Sequence, residues 1–292
     1  MTWTAHRFAV VLGLALAAAS LAVPTALGVH LHAAGLAQAA LGSALLVGCS
    51  ALALNGSRTT PLTASRAVPA VLATTAANAV TPAGVGGTLL TMRIHRRSGL
   101  TTEEAAAAAG LRTAFGALAA TLAAGVAAST VGTSLLPTPP LAVLLAVPAV
   151  LVAATLLPVF RTRVLPAVRR TAGAVGEVLR RPRCLASLMI GCVGVTVAQV
   201  LTLQGAVAAV GGHLPWQDLL AALVGSAAAR SAVPSPGGVG PIEAALVGGL
   251  TTMGMGWGTA SAAVAIYRTA GHWLPVVAGV MSLAALRRRH LV

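Results

Sequence analysis

The chain has 292 residues, 57% of them hydrophobic and only 8% charged, with a mean hydropathy of +0.89; a soluble domain needs a far more polar surface, so this is a polytopic membrane protein. Its net charge of +14 comes from 19 basic residues, all Arg, set against Glu103, Glu104, Glu177, Asp218 and Glu243. The arginines cluster at the ends of apolar segments, where a cytoplasmic membrane face and anionic headgroups account for them, so nucleic acid is not an expected partner.

A membrane helix needs about 20 mostly apolar residues. In chain order, that length selects spans near 8–29, 36–55, 104–134, 140–159, 185–211 and 258–285. The first resembles the start of a signal peptide, but more membrane sequence follows, so it reads as an uncleaved span. Two further apolar stretches, about 62–92 and 216–255, are each broken midway by Pro and Gly into pieces too short to cross. The predicted fold class is an all-α polytopic membrane protein with about six transmembrane helices plus two re-entrant helical hairpins.

The charge distribution fits that topology. When each hairpin enters and leaves from one face, Arg7, Arg58, Arg93, Arg96, Arg97, the basic loop at about 160–183 and Arg287 to Arg289 all fall on the cytoplasmic side. This predicts a multi-pass plasma-membrane protein with both termini in the cytoplasm. Val164, Leu165, Val168, Val175, Val178 and Leu179 lie among the arginines of the central loop; an amphipathic helix on the inner membrane surface and a solvated loop both satisfy the pattern. Glu103 and Glu104 read as first-turn acids opening the third span, with Thr101 or Thr102 as cap, and Asp218 as a cap near Trp216 at the outer interface. Cys49, Cys184 and Cys192 fall in apolar runs and read as small buried hydrophobes.

The two breaks resemble each other. TPAGVG at Thr81 to Gly86 matches SPGGVG at Ser235 to Gly240, each preceded by Ala-Val, with Pro82 and Pro236 standing 154 residues apart. The Arg within the third span, Arg112, and the Arg within the sixth, Arg268, stand 156 apart. One unit starts out-to-in and the other in-to-out, which describes an inverted repeat over about 36–136 and 185–286, a common transporter design.

Non-helical backbone is tolerated in a bilayer only where protein buries it or it lines a wet cavity. Gly84, Gly86, Gly87, Gly237, Gly238 and Gly240 allow tight turns, and the half-helix N-termini beyond them suit a phosphate or carboxylate. Glu243, at membrane depth, requires a partner, either Arg230 or Arg268. Two roles stay open: an ion pair that braces the hairpin, or a polar site in which Arg112 and Arg268 attract lipid phosphate. Arg66, Asp218 and His272 are secondary candidates. There is no P-loop Lys, no H-E-x-x-H and no G-x-S-x-G string, and His30 and His32 are too close for an i, i+4 pair. No enzymatic activity, metal or cofactor is expected.

PSPGGVGPIEAALVGGLTTMGMGW, followed by AIYRTAGHWLPVVAGV, resembles the C-terminal half of the transmembrane region of lysylphosphatidylglycerol synthetases, a family of flippase-like integral membrane proteins. The resemblance rests on Pro234, Pro236, Gly237, Gly238, Gly240 and Glu243, then Tyr267, Arg268 and Trp273-Leu274-Pro275. Pro82, Ala83, Gly86 and the run from Arg96 to Thr101 resemble its N-terminal motif, with one departure: the family's acid falls on Gly87 here, and an expected Arg on Leu90. No part of the sequence resembles the soluble aminoacyl transferase domain of full synthetases. The resemblance therefore implies transport of an aminoacylated phospholipid, or another lipid-linked headgroup, between leaflets. Substrate would meet Gly237, Gly238, Gly240, Glu243 and Arg268, with Gly84, Gly86, Arg112 and Arg230. Polyprenyl-phosphate glycolipid transport, small-solute secondary transport and support of a separate lipid-modifying transferase are the alternatives. Membrane lipids are the expected partners, and a homo-oligomer stays open.

Overall fold

The computed structural model describes residues 26–81, 85–131, 165–233 and 235–288, together with 18, 22 and 24. The span expected at 140–159 lies outside them, as do Gly84, Pro234 and all but the end of the span at 8–29. Regular structure among the described residues is helical throughout: α1 (Ala33–Gly56), α2 (Ala64–Ala79), α3 (Val85–Arg97), α4 (Thr102–Val131), α5 (Leu165–Leu179), α6 (Pro182–Ala209), α7 (Trp216–Ala232), α8 (Pro241–Thr252), α9 (Trp257–Arg268) and α10 (Leu274–Arg288). Helices α1, α4 and α6 are long and apolar enough to cross a membrane. The two broken stretches become helix pairs, α2/α3 and α7/α8, whose arms of 16, 13, 17 and 12 residues each fall short of the roughly 20 that a span requires.

The centre of the fold is an antiparallel seam between α1 and α6. A Cβ added to Gly35 would meet the backbone of Ala209, one on Gly42 that of Thr202, and one on Gly56 that of Leu188; on the other side Gly191 meets Ala53 and Gly205 meets Ala39. In sequence these small positions recur every three or four residues on both helices, the seven-residue spacing that lets two backbones approach along their whole length. Close approach supplies the dispersion contacts that replace a hydrophobic driving force in lipid. Polar groups at the edge add to it: Gln38 Nε2 donates to Gln204 Oε1 at 3.2 Å, and the His32 N–H to the Ala209 carbonyl at 2.8 Å.

Around the seam the packing crosses between the chain's two halves: α2 lies against α10, and α7 against α4. One core gathers Leu203, Val207, Leu219, Leu246, Leu250 and Ile266 from α6 to α9, and another gathers Leu54, Val71, Ile94, Leu283 and Leu286 from α1, α2, α3 and α10. The central basic segment is helical as α5; its Val175 and Val178 pack with Leu111, Ala119, Leu188 and Cys192 of α4 and α6. Thr101 is the cap of α4, because its Oγ1 accepts the Glu104 N–H while Glu104 Oε2 accepts the Thr101 N–H.

The stretch 258–285 is helical throughout, with a π-helical turn at Thr269–Trp273 between α9 and α10. Such a turn shifts the hydrogen-bond register and frees a carbonyl; here Ser43 Oγ of α1 donates to the Ala270 carbonyl at 2.6 Å. Asp218 is not a cap: it lies in the first turn of α7 behind Pro215, where its charge complements the helix dipole.

At the basic edge of the fold Arg58 and His95, 2% and 0% exposed, face each other with Arg58 Nη1 3.4 Å from His95 Nδ1. Burial first, then the neighbouring charges of Arg58 and Arg112, push the imidazole pKa down to about 4. The ring is thus neutral and able to accept from the guanidinium. An unfolded-state His titrates near 6.5, so between the two values the unfolded chain binds more protons and stability falls with falling pH. Thermal unfolding in detergent between pH 7 and 4 should show this loss, and His95→Gln should flatten it.

The seam is testable in the same assay. Gly205→Val and Gly42→Val force the helices apart and should each destabilise by about 1–3 kcal/mol, whereas Gly48→Val, on the same helix as Gly42 but with open space around it, should leave the melting temperature near that of the parent.

Candidate functional site

The second break places the site. Gly237, Gly238 and Gly240 have φ of 62°, 69° and 95°, values that a residue with a Cβ adopts only under strain, so this turn depends on glycine. Pro241 then opens α8 at a position where its missing N–H costs nothing. Glu243 stands in the first turn of α8 and uses both carboxylate oxygens: Oε2 accepts the Gly240 N–H at 2.7 Å, and Oε1 accepts Arg268 Nε at 2.6 Å.

Arg268 reaches in from the end of α9. Besides the ion pair it donates from Nη2 to the Gly237 carbonyl at 2.9 Å, and its guanidinium carbon lies 5.2 Å from the centre of the Trp273 ring. Its side chain is 7% exposed and that of Glu243 31%. The π-turn brings Trp273 back over the arginine while His272 packs edge-on to the same ring, 4.7 Å away. Glu243, the Gly237 carbonyl and Trp273 therefore converge on one guanidinium. The sequence leaves Glu243 two partners; the structure chooses Arg268 and leaves Arg230 unpaired among the described residues.

Beyond Arg268 opens a polar cavity of about 380 Å³ among α1, α4, α6, α7, α8 and the α9 end. Arg112 enters it from α4, Arg230 from α7, Tyr267 and Arg268 from α9, and Thr196 and Gln199 from α6. His272 also faces it, with a buried Nε2 that has no hydrogen-bond partner among the described residues. No carboxylate lines the cavity. Arg112 has a second polar neighbourhood, a cavity of about 210 Å³ that it shares with Asn78, Gly87, Thr88 and Thr91 beside the first break.

An apolar groove of about 470 Å³ runs between α4 and α6, bounded at one end by α7. Leu122 and Val126 of α4, Val193 and Val197 of α6, and Trp216 line it, and all five are substantially exposed. Thr196 belongs to both the groove and the polar cavity. Thr196 is thus a wall common to both, and the polar chamber and the apolar groove lie next to each other there.

The first break is built differently. Gly86 N–H donates to Thr81 Oγ1 at 3.0 Å and Gly87 N–H to Asn78 Oδ1 at 2.7 Å. Neutral side chains from α2 and its end thus satisfy the donors at the start of α3. Gly86 lies at this turn and not in the larger cavity, and Gly84 lies outside the described residues. Arg66 is exposed near the start of α2, away from both.

Residues 8–279 match the family described as the lysylphosphatidylglycerol synthase TM region. The chain belongs to this family. No curated protein and no solved structure matches it. Membership, with three helices long and apolar enough to cross, makes it a membrane protein of a lipid-associated family. Within that frame, sequence reasoning passed over Thr196, Gln199 and Asn78; the signal for the first two is a polar pair three residues apart in the otherwise apolar run 188–201 of α6.

Removing one partner of a buried pair strands the other charge, so Glu243→Gln should destabilise by roughly 3 kcal/mol, at the low end of the usual range because Glu243 is partly exposed. Arg268→Gln in the same background should cost less than the sum of the single changes, a coupling that a double-mutant cycle of unfolding free energies would read directly.

Proposed function

We propose that this protein is a flippase-like translocator that moves a lipid-linked headgroup between leaflets, without covalent chemistry. The observation that carries this reading is the adjacency of the Arg-lined cavity and the apolar groove, which share Thr196 as a wall. A headgroup needs a polar chamber within the bilayer, and its tails need an apolar exit to the side. A small solute would use the first and have no need of the second.

The proposed architecture is six transmembrane helices and two re-entrant hairpins in an inverted repeat, in the plasma membrane, with both termini cytoplasmic. Several features support the repeat. In order along the chain, α1, α2/α3, α4 and α6, α7/α8, α9 with α10 have the same character. Gly35 and Gly191, which seat the two ends of the seam, stand 156 residues apart, as do Arg112 and Arg268. The packing of α2 on α10 is answered by that of α7 on α4. Broken helices meeting beside a central cavity are the usual place for substrate in inverted-repeat transporters.

Purified protein in liposomes containing a fluorescent anionic phospholipid should make outer-leaflet label accessible from the lumen faster than empty liposomes do. Val197→Trp, which fills the groove and leaves the cavity intact, should slow that movement severalfold. Movement of a water-soluble anion but of no lipid, unaffected by Val197→Trp, would replace this reading with solute transport.

A further inference from the structure

Resting on that reading, the charges in the cavity specify a headgroup. Three arginines line it and no carboxylate does. Arg268 is neutralised by Glu243, whose second oxygen is committed to the Gly240 N–H. Arg112 and Arg230 have no hydrogen-bonding or ionic partner among the described residues. Gly87, which shares the smaller cavity with Arg112, has no side chain to offer, and its N–H is already bonded to Asn78. The remaining carboxylates are elsewhere: Glu104 caps α4, Glu103 is its neighbour, Glu177 pairs with Arg181 and Asp218 opens α7.

Two guanidinium charges therefore face one chamber without a counter-charge. A cationic headgroup entering it would add to their repulsion and would find no free acid to hold it. A phosphate monoester carries about −1.5 to −2 charges at neutral pH and three acceptor oxygens, and guanidinium forks are suited to such oxygens. We infer that the cavity selects a lipid phosphate monoester or diphosphate and rejects an aminoacylated, amine-bearing headgroup. Tyr267 and Gln199, from α9 and α6, supply further neutral donors around the same space. Thr196, a wall of both the cavity and the groove, would lie at the boundary of headgroup and tails.

The test compares four probes on the full chain in detergent: dioleoyl phosphatidic acid, dioleoyl phosphatidylglycerol, lysyl-phosphatidylglycerol and sodium pyrophosphate, with apparent affinity read from the melting temperature. Phosphatidic acid is expected to bind about tenfold or more tighter than phosphatidylglycerol, with the lysyl lipid weakest. Arg112→Gln and Arg230→Gln should each weaken phosphatidic acid binding roughly 10- to 100-fold, the equivalent of one charge-assisted hydrogen bond, while Arg112→Lys and Arg230→Lys retain most of it. Arg230 is exposed to the cavity, so its variants test the charge even where an Arg112 change perturbs folding.

Tightest binding of the lysyl lipid, or phosphatidic acid binding indifferent to both Gln variants, overturns the assignment. Pyrophosphate bound as tightly as phosphatidic acid upholds the anion site but assigns it to a free phosphate and removes the lipid. Selective phosphatidic acid binding, with no transbilayer movement in liposomes, upholds the headgroup class and removes only translocation.

Discussion

A carboxylate has two oxygens, and Glu243 divides them between the glycine turn three residues before it and the end of α9, 25 residues after it. One oxygen closes the glycine turn by accepting from Gly240; the other fixes Arg268 at the end of α9. Through Arg268 the Gly237 carbonyl, the ring of Trp273 and the π-turn are drawn to the same point. The shape of the cavity follows, since Arg268, Tyr267 and His272 reach it only because α9 ends where it does. Unpaired, a guanidinium this deeply buried would bear its full desolvation cost, so the turn and the helix end are held together or lost together.

The two halves of the chain solve the same backbone problem with different chemistry. Each presents unsatisfied N–H groups at the start of a short helix inside the fold. The second half answers with a charged side chain, which demands a cation and receives Arg268. The first half answers with Thr81 and Asn78, which are neutral and demand nothing. No carboxylate at this break is there to neutralise Arg112, which lines both cavities. Two similar breaks thus yield an asymmetric field.

Much of the helical layout was legible because its signals are local. Length and hydropathy mark α1, α4 and α6, and Pro with Gly mark the two breaks at positions where a helix cannot continue. Glu243 announced the need for a partner, because a lone acid in an apolar run is costly, but it could not choose between Arg230 and Arg268, a question of where α9 ends in space. The π-turn left no trace, since TAGHW continues an ordinary apolar helix pattern until a neighbouring hydroxyl, that of Ser43, is there to take the freed carbonyl. The seam was present in the sequence as a seven-residue recurrence of Gly and Ala on α1 and α6, yet which helices would share it is a tertiary fact. Arg58 and His95 are 37 residues apart, and their burial together depends on the fold and not on any motif.

The α1/α6 seam carries a mechanical consequence. Ordinary helix interfaces contain side chains that can change rotamer, and so let one helix slide or roll over another in small steps. Along this seam backbone meets backbone at Gly35, Gly42, Gly56, Gly191 and Gly205, and there are few rotamers to exchange. A displacement along the axis would drive the methyls and main chain of one helix into the other. The pair therefore acts as an axle: relative motion among these helices is borne more readily by the short hairpin arms packed around it than by sliding along the seam.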